Sequence, residues 1–246
     1  AVDSGCNASL IAVHHACREL SCGAADYALA GGVSVRANGS PEWTAQTMTE
    51  LASPSGRCRA FDADADGTVA GEGGAALLLT TLSRARADRA PVYAVIRGSA
   101  VLHNGRSAAT ISTPSAASQA RVIATAWRTA GADPSDAGYL EAHGSATRLG
   151  DAVELEGLRI AFAGRSRPLP IGSVKTNIGH LDHAAGVAGL VKGVLSVADG
   201  RLYPSLHYRR PTGDFDMAGA GIEVVTELRP WPSDSGPRLA GISSYS

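Results

Sequence analysis

The sequence predicts an α/β protein in which helices pack on a buried sheet. Stretches with the periodicity of strands alternate along the chain with stretches that have the periodicity of helices, which is the pattern of α/β architectures. Of the 246 residues, 44% are apolar. A chain of this length and composition can bury a sizeable core in one or two lobes.

Side-chain periodicity places the individual elements. Strands are predicted at residues 27–35, 74–80, 92–101, 138–142 and 169–174, and helices at residues 10–20, 118–130, 152–161 and 184–198. The last helix contains Gly186 and Gly189, and each lowers helix propensity by about 1 kcal/mol relative to alanine. We therefore expect this helix to be buried and to pack closely against another element.

The connections and the two ends of the chain carry a further expectation. Segments rich in Pro, Ser and Gly lie at 53–56, 112–118 and 233–237, and they are too short to separate independent domains. Residues 1–2 have strand character with no strand before them, and residues 241–246 stop within a strand-like pattern. We expect a fold that is cut at both ends.

Charge and composition argue against several classes of partner. The 22 basic and 23 acidic residues leave a net charge of −1, so we expect no nucleic-acid or membrane partner. No run of eighteen apolar residues and no secretory leader is present in the sequence, which predicts a cytoplasmic protein. The four cysteines crowd toward one end, which favours reduced thiols over a disulfide framework.

Cys6 is the candidate nucleophile. It lies between a short strand-like segment and an amphipathic helix, among small residues that would let an acyl chain approach the sulfur. A cysteine at a helix N-terminus can have a pKa well below the free value of about 8.5, so we expect a lowered pKa here. Cys17, Cys22 and Cys58 are interpreted as small apolar side chains.

Two groups of residues resemble metal sites, but each lacks part of the ligand pattern. His14, His15, Cys17 and Cys22 match no common zinc spacing, and a helix points adjacent histidines about 100° apart. Residues 62–67 begin like a calcium loop, but the closing position is Gly73, with Glu72 one residue early. We expect no metal and no bound cofactor.

Two histidines occupy matching positions at predicted strand ends. His143 follows the strand at 138–142 and precedes Gly144 and the hydroxyl residues Ser145 and Thr147, whereas His180 follows the strand at 169–174. With a cysteine at a similar strand-to-helix turn, they form the nucleophile-and-partner set that acyl transfer requires.

Three motifs in this order and spacing resemble the catalytic motifs of β-ketoacyl synthases. They are Cys6 in its Val-Asp-x-x-Cys-x-x-Ser-Leu setting, His143 in a His-Gly-x-x-Thr loop, and the stretch 175–180. The resemblance covers essentially the whole chain and is strongest to ketosynthases of modular type I polyketide synthases. Asn7-Ala8, Ser145-Ala146 and His183 depart from the usual pattern, which leaves the preferred acyl chain open.

The resemblance implies a thiolase-like fold with five layers, αβαβα, built from two similar halves. Residues 1–246 would be a partial ketosynthase domain, with 1–110 the remainder of the N-terminal half and 111–246 the C-terminal half. The first strands and helices and the final glycine-rich loop would be absent. We expect activity only when a second polypeptide or a missing segment supplies them, in a dimer of synthase units.

The resemblance also implies roles for individual residues. Cys6 would accept an acyl chain from the phosphopantetheine arm of acyl carrier protein, and His143 and His180 would stabilise the enolate of a malonyl-type extender. The remaining expected residues are Lys175 as the polarising charge, Ser145, Thr147, Asn177 and Phe61 as substrate contacts, and Glu154 and Asp151 as their support.

Two other functions remain open. The chain could transfer acyl groups between carriers without condensation, or it could be a structural subunit that completes a partner's fold. A degradative thiolase is disfavoured because it needs a second cysteine near the C-terminus, and no cysteine follows Cys58. For a condensing enzyme, we expect a role in polyketide and antibiotic biosynthesis.

Overall fold

The structure, a computed structural model, describes residues 1–35, 51–105, 113–213, 215–233 and 236–246. Within these ranges, no helix is both long enough and apolar enough to cross a membrane. Helices pack on a parallel sheet, which confirms the predicted α/β class.

The first part of the chain builds a helix and an antiparallel pair of strands. A 3-10 turn at Gly5–Asn7 leads into helix α1, Ala8–Ser21. Strands β1, Tyr27–Ser34, and β2, Gly73–Thr80, pair antiparallel along their full lengths. The short helix α2, Leu82–Ala87, follows and is capped by the Thr81 side chain, which accepts the Arg84 N–H.

The second part builds a parallel sheet of four strands in the order β6-β4-β3-β8. The strands are β3, Tyr139–Glu141; β4, Leu169–Gly172; β6, Ile222–Val224; and β8, Ala240–Ile242. Its helices are α3, Ala116–Ala130; α4, Arg148–Ala161; the single turn α5, Lys175–Ile178; and α6, Ala185–Asp199. Two-residue strands β5, Arg201–Leu202, and β7, Arg229–Pro230, form a small antiparallel pair.

The main hydrophobic core lies between the parallel sheet and the packed pair α3 and α4. Trp127 of α3 meets Phe162 edge to face, with ring centroids 5.9 Å apart. Leu155 and Leu158 of α4 are completely buried in the same cluster. This cluster supports the carboxyl end of β3, at which His143 lies.

Helix α6 lies between the β1–β2 pair and the parallel sheet, and it contacts α1, β2, β3 and β8. Its glycines allow the close approach. A Cβ on Gly186 would lie 2.8 Å from Leu10 Cγ, one on Gly189 would lie 3.2 Å from Glu141 Cγ, and one on Gly193 would collide with Ile242. The prediction of a buried, closely packed helix is therefore confirmed.

Two predicted strands are wrong. Residues 92–101 form no ladder, because no described strand lies beside them to complete the hydrogen bonds. Two other contacts hold them: the backbone at Gly98 packs against the end of α3, and the Ser99 hydroxyl bonds to His14 Nδ1 at 2.8 Å. Residues 1–2 likewise form no strand, since no described neighbour pairs with them.

Of the predicted connections, one is confirmed and one is partly replaced by a helix; the predicted domain division is not tested. Residues 53–56 form a turn, as expected, whereas α3 begins at Ala116, within the linker predicted at 112–118, because Ser115 caps the helix by accepting the Ser118 N–H. Residue 112 and part of 233–237 lie outside the described residues. The division into 1–110 and 111–246 also falls among undescribed residues and stays a prediction.

Truncation of a core side chain of α4 should destabilise the protein. Leu158 is 0% exposed, and replacement of a buried leucine by alanine costs about 2–5 kcal/mol. Leu158→Ala should lower the free energy of unfolding by this amount in urea denaturation. Ile160→Ala on the same helix is the control, because Ile160 is 45% exposed; equal losses for the two variants would contradict the described packing.

Candidate active site

A left-handed turn at the end of β3 positions His143. Gly144 has φ +43° and Ala146 has φ +61°, so the chain reverses immediately after the histidine. A Cβ on Gly144 would lie 2.7 Å from Ser173 Cβ and 3.1 Å from the Phe61 ring. Only glycine fits between these two side chains in this conformation.

Two buried carboxylates of α4 hold this turn by its backbone. Glu154 accepts the N–H groups of His143 and Gly144, both at 2.8 Å. Asp151 accepts the N–H groups of Phe61 at 2.6 Å and Ala146 at 3.1 Å. Burial raises the pKa of each carboxyl to about 7, even though these N–H donors oppose the shift.

A second glycine turn positions His180. Gly179 has φ +78° and lies against the backbone of residues 69 and 70. The N–H of His180 donates to the Val69 carbonyl at 2.6 Å, and the N–H of Gly71 donates back to the His180 carbonyl at 3.0 Å. These bonds hold the segment after α5 against the loop that leads into β2.

Backbone donors select the same tautomer for both imidazoles. Tyr245 N–H donates to His143 Nδ1 at 3.2 Å, and Asp182 N–H donates to His180 Nδ1 at 3.0 Å. An Nδ1 that accepts a hydrogen bond leaves the proton of a neutral ring on Nε2. The rings lie 5.6 Å apart at 77°. The arrangement therefore presents two Nε2–H donors close together.

The charges around His143 favour its neutral form. Burial, with Lys175 and His180 nearby, holds the pKa of His143 well below its ordinary value. Lys175 is itself buried, at the start of α5, and its Nζ donates to the His143 carbonyl at 2.5 Å. Burial lowers the pKa of Lys175, and the negative charges of Glu154 and Glu141 oppose that shift.

Cys6 lies in the 3-10 turn ahead of α1. Gly5 has φ +60°, which turns the chain into the helix, and the Cys6 carbonyl accepts the Ser244 hydroxyl at 2.9 Å. Burial raises the pKa of the Cys6 thiol, Asp182 raises it further, and Lys175 opposes both. The expected lowered pKa is therefore wrong, because desolvation of the thiolate outweighs its favourable position at the helix N-terminus.

One cleft brings the three predicted reactive residues together. Cys6, His143 and His180 all line a cleft of about 1980 Å³, together with Ser145 and Thr147, whose hydroxyls lie 3.1 Å apart. This volume exceeds that of ordinary ligand pockets, about 300–1,000 Å³. It is ample for a long flexible arm and an acyl chain.

The remaining predicted site residues lie around the cleft. Lys175, Glu154 and Asp151 are buried behind the histidine turns. Phe61 is buried beneath Gly144, and Asn177 is exposed; neither belongs to the lining of the cleft. Substrate contacts by these two residues stay predictions.

The calcium-like loop has a structural role. Asp62 accepts the backbone N–H groups of Arg209 at 2.6 Å, Arg210 at 3.0 Å and Asp64 at 2.8 Å. Asp66 accepts the Ser53 hydroxyl at 2.6 Å. These carboxylates tie together segments that flank the site, and in the described part of the chain no group of three metal-binding side chains converges.

Sequence reasoning missed the residues that orient the imidazoles. Tyr245 and Asp182 act through backbone N–H groups, which every residue except proline carries, so no side-chain pattern marks them. Tyr245 also packs its ring 5.6 Å from that of His143. Only the folded arrangement of the two loops identifies these contacts.

Comparison with known proteins agrees with this geometry. The family model "Beta-ketoacyl synthase, N-terminal domain" matches residues 1–85, and "Beta-ketoacyl synthase, C-terminal domain" matches residues 93–209. A phenolphthiocerol/phthiocerol polyketide synthase of Mycobacterium tuberculosis is 44% identical over 246 residues, which is 100% of this chain and 16% of that protein. Polyketide synthase GfsA of Streptomyces halstedii is 43% identical over 99% of this chain and 3% of its own length.

Solved structures show the same arrangement of the chain. The ketosynthase from module 6 of the bacillaene synthase of Bacillus subtilis 168 superposes with a TM-score of 0.93 at 38% identity, covering 99% of this chain and 44% of its own. The oxazolomycin ketosynthase domain OzmH KS7 of Streptomyces albus JA3453 gives 0.91 at 40% identity, covering 98% and 43%. This chain thus spans less than half of each of these two ketosynthases.

Charges near the sulfur should tune the reactivity of Cys6 in opposite directions. Because the thiolate is the nucleophile, Asp182→Asn should speed alkylation by iodoacetamide at pH 8 by about threefold, and Lys175→Met should slow it by about threefold. Peptide mass spectrometry over time measures both rates. Exposed Cys22 serves as the internal reference, and a shift of both variants in the same direction would refute this electrostatic account.

Glu154 should make stability depend on pH. Its pKa, raised to about 7 by burial, means that between about pH 5 and 7 the folded state holds a proton that the unfolded state has lost. Stability then falls as pH rises through this window, by up to about 1.4 kcal/mol per unit. Glu154→Gln should make that slope shallower in urea denaturation at pH 5, 6 and 7, because Asp151, whose pKa burial also raises to about 7, still contributes.

The control for this experiment lies on the same helix. Glu156 is partly exposed and pairs with Arg159 at 2.6 Å, and its pKa is lowered by that partner. Glu156→Gln should therefore leave the slope between pH 5 and 7 unchanged. Identical slopes for the unmodified protein and Glu154→Gln would contradict the raised pKa.

Proposed function

This chain belongs to the β-ketoacyl synthase family, as a ketosynthase domain of the modular type I polyketide synthase kind, and on that premise we propose that it catalyses decarboxylative Claisen condensation. The observation that carries the proposal is the pair of Nε2–H donors that share one cleft with Cys6. Such a pair suits a negative charge that develops on one oxygen of a bound thioester.

The reaction begins with acyl transfer to Cys6. The Cys6 sulfur attacks the carbonyl carbon of an acyl thioester on the phosphopantetheine arm of acyl carrier protein. A new carbon–sulfur bond forms, the bond to the carrier sulfur breaks, and the carrier thiol leaves with the proton. Lys175, which opposes the rise in the Cys6 pKa, favours the thiolate in this step.

Decarboxylation of the extender follows. In a malonyl-type thioester, the bond between the carboxylate and the α-carbon breaks, carbon dioxide leaves, and the electron pair forms an enolate. His143 and His180 donate their Nε2 protons as hydrogen bonds to the enolate oxygen. Fixed donors of this kind, aimed at a developing oxyanion in a water-poor site, lower barriers by about 3–4 kcal/mol each.

Condensation completes the cycle. The enolate carbon attacks the Cys6 thioester carbonyl, a carbon–carbon bond forms, and the Cys6 thiolate leaves and is protonated again. The product is a β-ketoacyl chain on the carrier, two carbons longer. The low pKa of His143 keeps its ring neutral, so that Nδ1 can continue to accept the Tyr245 N–H throughout.

The assembly around the site is part of the same proposal. Ser145 and Thr147 at the cleft wall contact the phosphopantetheine arm. A five-layered thiolase-like domain is completed by chain that this sequence does not contain, as the 43–44% coverage of solved ketosynthases suggests. Two such domains form the dimer, and the product is a polyketide made in the cytoplasm.

Loss of one imidazole should slow decarboxylation strongly. His143→Ala should slow carbon dioxide release from malonyl carrier protein by about 10²- to 10³-fold, the range found when an oxyanion donor is removed. Release is measured with labelled malonyl carrier protein in the complete protein. His15→Ala, an exposed histidine of α1, should leave the rate unchanged.

The other functions would produce different outcomes in the same experiment. Acylation of Cys6 without carbon dioxide release by the unmodified protein would indicate a non-condensing acyltransferase. Absence of both would indicate a structural subunit. Release that survives His143→Ala undiminished would refute the condensation mechanism.

A further inference from the structure

The carboxylate of Glu141 is buried behind the active site and takes no part in the steps above. Glu141 lies on β3, two residues before His143, and is 1% exposed. A buried carboxylate is costly unless its oxygens are paired and hydrogen-bonded. Its partners therefore indicate what it does.

The two oxygens of Glu141 accept two hydrogen bonds and face one ammonium group. Oε1 accepts the N–H of Val174, the residue directly before Lys175, at 2.5 Å. Oε2 accepts the Tyr139 hydroxyl at 2.5 Å and lies 2.8 Å from Lys192 Nζ. Lys192 is 8% exposed, so this ion pair is shielded from solvent on both sides.

The surroundings pack tightly against this cluster. A Cβ on Gly172 would lie 2.6 Å from the Tyr139 hydroxyl and 3.1 Å from Lys192 Nζ. A Cβ on Gly189 would lie 3.2 Å from Glu141 Cγ. Lys192 Nζ also lies 5.6 Å from the centroid of the Tyr139 ring. The backbone of β4 and of α6 thus closes over the carboxylate.

The bonds join the three segments that carry the reactive groups. Strand β3 leads directly to His143, Val174 precedes Lys175, and α6 follows the turn that carries His180. Lys175 in turn donates to the His143 carbonyl at 2.5 Å. Any shift of Val174 relative to β3 would be transmitted to both Lys175 and His143.

We propose that Glu141 is a positioning residue, whose carboxylate, neutralised by Lys192, fixes the segment before Lys175 against the strand that carries His143. The proposal rests on the proposed function for its catalytic consequence, because it assigns Glu141 to the alignment of the decarboxylation site. Glu141 does not line the cleft, so it acts through the backbone and not on substrate.

Two double variants separate the hydrogen bond from the charge pair. Glu141→Gln/Lys192→Met removes both charges but keeps an amide oxygen for the Val174 N–H. Glu141→Leu/Lys192→Met removes the acceptor as well and leaves a compact apolar cluster, a replacement that buried ion pairs often tolerate. Glu223→Leu/Arg229→Met is the matched control, because that pair, 2.7 Å apart, is exposed.

The first measurement does not depend on the reaction. Hydrogen exchange of the complete protein should show the Val174 amide at least tenfold faster in Glu141→Leu/Lys192→Met, and within about threefold of the unmodified rate in the glutamine variant. The control should leave it unchanged. Equal protection of Val174 in all variants would overturn the proposal, whether or not the protein proves to be a synthase.

The second measurement tests the catalytic consequence. For carbon dioxide release from malonyl carrier protein, the leucine variant should lose at least tenfold in kcat with KM unchanged within about twofold, and the glutamine variant should retain most of its kcat. A structural role alone would lower kcat in step with the folded fraction, which circular dichroism measures. Equal kcat in the two folded double variants would overturn the proposal.

Two further outcomes are distinguishable. If the unmodified protein releases no carbon dioxide, the proposed function fails, and the exchange rate of Val174 still decides the positioning role. If the leucine variant does not fold, Tyr139→Phe replaces it, since it removes one donor from the same carboxylate. A loss of at least threefold in kcat at constant KM, with a faster Val174 amide, then supports the proposal, and unchanged values overturn it.

Discussion

The active site depends on buried carboxylates that bind backbone N–H groups. Glu154 and Asp151 project from α4 and hold the turn after β3 at three amides, and Asp151 also binds the Phe61 amide of another segment. A turn with two residues at positive φ would otherwise be among the least stable parts of the fold. Because the carboxylates are out of water, solvent does not compete for these hydrogen bonds, and the position of the carboxylates determines that of His143.

Hydrogen bonds between side chains and backbone groups also fix the other segments that reach the cleft. The Tyr245 amide of a distant segment sets the tautomer of His143, the Asp182 amide of the same turn sets that of His180, and Lys175 binds the backbone carbonyl of His143. Polar side chains thus bind backbone, and backbone binds the imidazoles. A site built in this way keeps its donors aimed at one point and needs little reorganisation as charge develops there.

Burial of the active-site residues also shifts the pKa values of His143 and Cys6. It keeps His143 neutral, which suits a hydrogen-bond donor whose other nitrogen accepts from the backbone. It also raises the pKa of Cys6, so Lys175 is needed to offset part of that cost. The positive charge of Lys175 therefore lowers the pKa of both neighbours. It favours the neutral imidazole of His143 and the charged thiolate of Cys6.

Local patterns predicted most of the elements, and the failures have a common cause. Helices α1, α3, α4 and α6 and strands β1 to β4 appear where periodicity placed them, with ends displaced by up to four residues. Residues 92–101 have strand character, but a strand exists only when a neighbour completes its ladder. The two-residue strands β5 and β7 are too short for any period to show.

By itself, the sequence determined the α/β class, the family resemblance, and the choice of Cys6, His143, His180 and Lys175, because these depend on residue type and spacing. Only the tertiary structure decided the tautomers of the histidines, the direction of the Cys6 pKa shift and the partners of Glu141. Those properties arise from desolvation and from backbone groups that only the fold brings to the side chain. The pattern of residues along the sequence predicts neither.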